Sequence, residues 1–74
     1  MHIAFIGFGE AARAFTASLK DSGVEAFTAY DIKQDTPAGA DVEKAASDLG
    51  VTLADGPVAA IAGADWIIAA VTAA

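Results

Sequence analysis

Ile3-Ala4-Phe5-Ile6-Gly7-Phe8-Gly9-Glu10-Ala11-Ala12 decides the fold. Its first four residues form an apolar run that stops at glycine, the pattern of a strand buried on both faces. The next six read G-x-G-x-x-A, and Glu10 to Ser22 then follow a helical pattern. Ala12, Phe15 and Leu19 fall on one stripe, with Arg13, Lys20 and Asp21 off it. Each small residue of the loop has a physical task. Gly7 allows the tight turn out of the strand. Gly9 lets a pyrophosphate approach the backbone, and Ala12 lets the helix sit close on a sheet. The N–H groups of Gly9, Glu10 and Ala11 have no acceptor within a helix and are available to an anion.

Outward from this loop the pattern alternates. Gly23 stands where the helix needs a left-handed end. Ala26 to Tyr30 reads as a second strand, closed by Asp31. Lys33 to Ala40 is a turn-rich connection with Pro37 and Gly39. Asp41 is the expected cap of a helix running to Leu49, ended by Gly50. Val51-Thr52-Leu53 is a brief third strand. Asp55-Gly56-Pro57 starts a short helix through about Ala62, with proline accepted in the first turn. After Asp65, the run from Trp66 to Val71 reads as a fourth, buried strand. Strands and helices in strict alternation predict an α/β fold, a Rossmann-type parallel sheet of four strands in the order 3-2-1-4 with flanking helices. The 74 residues suffice for one small, incomplete doubly wound domain, residues 1–74.

Asp31 gives the glycine loop its second half. It lies 24 residues beyond Gly7, near the spacing of about 20 at which an acidic residue meets the adenosine ribose in dinucleotide-binding sheets. A carboxylate there accepts bonds from ribose hydroxyls and repels a 2′-phosphate, so NAD is the expected cofactor in preference to NADP. Gly7, Phe8, Gly9, Glu10, Ala11, Ala12 and Asp31 are therefore the candidate cofactor-binding residues. Glu10 is read as complementing the helix dipole. Lys33, Arg13, Lys20 and His2 are read as surface residues, Asp55 and Asp65 as residues that cap or end elements, and Phe5, Phe15, Phe27 and Trp66 as core. No carboxylate pair, histidine cluster or hydroxyl–base arrangement forms a catalytic site.

Four basic and ten acidic side chains give a net charge of −6. That balance argues against nucleic acid, whose binding needs clustered cations, and against an anionic membrane surface. The absence of cysteine excludes disulfides, thiolate metal sites and a cysteine nucleophile. No basic leader precedes the first apolar run, and no run spans a bilayer, so a soluble, cytoplasmic protein is expected.

The stretch from Ile3 to Ala12, with glutamate after the second glycine, resembles the N-terminal cofactor domain of the 6-phosphogluconate dehydrogenase and 3-hydroxyisobutyrate dehydrogenase superfamily. Ala64 to Ala73 is similar to that domain's fourth strand. The resemblance covers essentially the whole chain. It implies hydride transfer between a nicotinamide cofactor and a small hydroxy acid, with Val71 and Thr72 near the cofactor; most members carry proline where Thr72 stands. The superfamily's catalytic lysine has no matching position in these residues, so the chain is expected to bind cofactor without turning over substrate. The ending after the fourth strand suggests a fragment whose last strand is covered by the remainder of its domain or by a second copy. A free-standing nucleotide-sensing module that acts through association, and a structural fragment without a ligand, are the competing readings.

Overall fold

The computed structural model describes residues 1–69. Strand β1 (His2–Ile6) leads through the glycine loop into helix α1 (Glu10–Leu19). Then come β2 (Ala26–Tyr30), a 3₁₀ turn (Ile32–Asp35), α2 (Gly39–Leu49), β3 (Val51–Leu53), α3 (Pro57–Ile61) and β4 (Trp66–Ala69). The sheet order is β3-β2-β1-β4 with every pair parallel, as the alternation predicts. Ile6 is in register with Tyr30 on one side and Ala69 on the other. The C-terminal ends of these three strands are thus level, and the glycine loop leaves from the middle one.

Side-chain alternation sorts the helices. Ile3, Phe5, Phe27, Ala29 and Val51 form one core with Phe8, Ala12, Val42 and Ala46, contributed by the glycine loop, α1 and α2. Phe5 is its centre. Its ring stacks on Phe27 at 6.4 Å and meets Phe8 at 6.2 Å and the edge of Phe15 at 6.1 Å. Ala4 and Thr28, in register with each other, belong to the opposite face. There the Thr28 hydroxyl donates to the carbonyl of buried Ala60 in α3. Helices on both faces make the sheet doubly wound.

Several expectations change in three dimensions. The buried stripe of α1 runs through Ala12 and Thr16, not Phe15, which is 44% exposed. Thr16 is fully buried and donates to the Ala12 carbonyl, so its hydroxyl is satisfied inside the helix. The two small residues let α1 approach the sheet and leave Phe15 at the flank. The strand at Trp66 is not buried: Trp66 is 61% and Ile67 54% exposed, because among the described residues β4 pairs only with β1. Asp41 does not cap α2. Ala38 holds that position, and Asp41 lies in the first turn with its carboxylate on Arg13. His2 is half-buried rather than on the surface, with Nε2 at 2.8 Å from the Thr28 hydroxyl. That hydroxyl already donates to Ala60, so it accepts from His2 and fixes the proton on Nε2.

Candidate dinucleotide site

The site is the crevice above the C-terminal ends of β1 and β2, with the glycine loop as its floor. Gly7 has a φ of 94°, a left-handed conformation that only glycine adopts easily, and its N–H donates to the Tyr30 carbonyl at 2.7 Å. The fold therefore demands Gly7. It does not demand Gly9. Gly9 has a φ of −85°, open to any residue, and a Cβ built there meets no atom within 4 Å. Neither backbone conformation nor internal packing accounts for the glycine.

Beyond Gly9, Glu10 and Ala11 are exposed and Ala12 is buried against the sheet. Glu10 sits in the first turn of α1, where its charge complements the helix dipole. Phe8 does something the sequence pattern conceals. Its side chain is fully buried beside Phe5, so it anchors the loop in the core. Its N–H donates to Asp31 Oδ2 at 2.7 Å, which draws the loop to the end of β2.

Asp31 is thus built into the loop rather than standing free in a turn. Oδ2 accepts from Phe8 and Oδ1 accepts from the Lys33 N–H at 2.9 Å. An ionised carboxylate offers about four acceptor directions, so both oxygens keep capacity for hydroxyl donors. Lys33 is exposed and engages through its backbone.

Two residues absent from the sequence-derived site belong to this framework. Arg13 was expected on the exposed helix face. It is half-buried, with Nε donating to the Phe8 carbonyl at 3.1 Å, its guanidinium 5.7 Å from the Phe8 ring centre, and a bond to Asp41 at 3.2 Å. Gln34 accepts from the Asp31 N–H at 2.7 Å and donates to the Ala54 carbonyl at 2.9 Å. Asp31-x-x-Gln34 is a capping box, a pattern legible in sequence and overlooked beside the stronger glycine motif. Arg13 gives no such local signal, because its partners lie at the far side of the loop and on α2.

Val71 and Thr72 lie outside the described residues. Among the described residues no cluster of His, Asp or Glu is arranged to hold a metal, and no helix is long and apolar enough to cross a membrane.

The comparisons agree with the fold. No curated protein matches the chain. Among solved structures it is similar to a conserved hypothetical protein from Sinorhizobium meliloti 1021, with a TM-score of 0.82 and 38% identity. The match covers 97% of this chain and 24% of that one, so the chain spans about a quarter of that protein's length. A family model described as "NADP oxidoreductase coenzyme F420-dependent" matches residues 2–74. These findings support a Rossmann-type NAD(P)-binding domain of an oxidoreductase, and they do not single out the 6-phosphogluconate and 3-hydroxyisobutyrate dehydrogenase superfamily. The chain belongs to the family so described.

Proposed function

We propose that this chain binds the pyrophosphate of a dinucleotide over Gly7–Ala12 and its adenosine ribose at Asp31, as the cofactor part of an oxidoreductase that moves hydride to or from a small hydroxy acid. The observation that carries the reading is Gly9: a glycine required by neither φ nor packing, at the one place where a ligand must approach the backbone. The residues present fit the cofactor. Gly9, Glu10 and Ala11 supply N–H groups at the start of α1, and Asp31 supplies acceptors for hydroxyls. When bound, the nicotinamide supplies the hydride chemistry; the described residues hold and orient the cofactor's other half.

The cofactor we propose is NAD rather than NADP, although the family's description names NADP. Two unit charges at about 4 Å near a protein surface interact by about 4 kcal/mol. That exceeds the roughly 1.5–3 kcal/mol of a hydrogen bond to a charged group. A 2′-phosphate beside Asp31 therefore loses more than its contacts return. Calorimetric titration with NADH and NADPH tests this. NADH is expected to bind at least about tenfold more tightly, and Asp31→Ala to remove the difference. Equal binding of both cofactors by the parent would sink the preference, and binding of neither would sink the site.

The apolar edge of β4 favours a second arm of the proposal: the remainder of the domain or a second copy covers Trp66 and Ile67. The sensing module that acts through association is separated from this by sedimentation with and without NADH. An unchanged molecular weight excludes it.

A further inference from the structure

The Gln34 side chain makes two bonds that only a primary amide can make together. Its oxygen accepts the Asp31 N–H and its nitrogen donates to the Ala54 carbonyl. Because one partner is a donor and the other an acceptor, the amide has a single satisfactory orientation. Ala54 in turn donates its N–H to the Ala29 carbonyl. A continuous relay results: Ala54, past the end of β3, holds Gln34. Gln34 holds the backbone of Asp31 at the end of β2, and the Asp31 carboxylate holds Phe8 past the end of β1. Three adjacent strand ends are tied in the order in which the sheet places them.

A capping box accepts glutamate as readily as glutamine at its third position. The Ala54 bond does not, because a carboxylate would face a carbonyl oxygen. Helix capping therefore explains half of what Gln34 does, and the bond across to Ala54 is the unexplained half. Its consequence falls on Asp31. With its N–H fixed by Gln34 and both oxygens on backbone amides, the Asp31 carboxylate has one aim and cannot swing aside. We infer that Gln34 is a positioning residue for the dinucleotide site: by tying Asp31 to the end of β3 it holds the carboxylate against the adenosine ribose and against a 2′-phosphate. This rests on the cofactor site proposed above.

The test uses Gln34→Glu, which keeps the capping acceptor and removes the Ala54 donor, and Gln34→Met, which removes both. Three readouts are needed. Amide exchange of Phe8, compared with the core amides of Ala4 and Phe5, reads the relay without any cofactor, and faster exchange at Phe8 alone is expected in both variants. NADH and NADPH titrations read the site. NADH binding is expected to weaken about five- to tenfold, the loss of one net hydrogen bond, with the NADH preference reduced. The third readout is the same substitution in the Asp31→Ala background, where Gln34→Glu should weaken NADH binding no further, since a residue acting through Asp31 is not additive with it. Additive losses would overturn the positioning role and leave a merely structural one. Unchanged Phe8 exchange would overturn it whether or not NADH binds. If the parent binds no dinucleotide while Phe8 exchange responds, the cofactor site is the claim that fails, and the role in binding fails with it.

Discussion

Gly39 has no room for a β-carbon. One built there would overlap the Gln34 carbonyl, a backbone atom that cannot yield without moving the 3₁₀ turn. Gly39→Ala is therefore expected to lower unfolding free energy by about 1–3 kcal/mol in urea titrations, the usual range for overpacking. Gly9 is the opposite case. Gly9→Ala meets open space, so its stability should change by less than about 1 kcal/mol while NADH binding is lost. A variant that binds NADH normally would remove the main support for the site. Arg13 and Asp41 separate two kinds of contact. Asp41 is largely exposed, so Asp41→Asn should alter stability by less than about 1 kcal/mol, as surface ion pairs do. Arg13→Met also abandons the buried Phe8 carbonyl and ring, and should be the more destabilising by about 1–2 kcal/mol in the same assay.

Among the elements, the join between β1, β2 and α3 depends on a short polar chain. His2 donates to Thr28, and Thr28 donates to Ala60. Thr28→Val preserves shape but leaves the His2 Nε2–H and the Ala60 carbonyl without that partner. A loss of about 1–3 kcal/mol is expected by thermal or urea unfolding. Asp65 secures the same end of the sheet, accepting from the His2 N–H at 2.8 Å while its own N–H donates to the His2 carbonyl. Along the lateral edge of the sheet, β4 exposes apolar side chains on both faces. Phe15, Leu19, Val24, Trp66 and Ile68 line an apolar hollow of about 350 Å³ beside α1.

On the scale of the molecule, the proposed site occupies one edge. The strand ends carry the glycine loop, Asp31 and Gln34, while His2, Asp65 and Trp66 lie at the far end. Trp66 is in register with Ile3, three residues short of the loop side, so its fluorescence is a poor reporter of cofactor and calorimetry is the better one. The isolated 74-residue chain is expected to bind NADH and to show no steady oxidation of hydroxy acids in an absorbance assay. Turnover by it would refute the division of labour proposed here.

The sequence by itself determined the order of elements, the parallel topology and the place of the glycine loop, because these rest on local signals: apolar runs, glycines and alternation within a few residues. It also placed Asp31 at the end of β2. Burial was decided elsewhere. Trp66 reads as core in sequence and is exposed because β4 is an edge strand; Phe15 is displaced to the flank because Ala12 and Thr16 are the smaller residues. The tertiary structure alone decided that Arg13 supports the Phe8 carbonyl and that Gln34 reaches Ala54. The first contact folds the start of α1 back on its own loop and the second joins residues 20 apart, and no periodicity within one element encodes either.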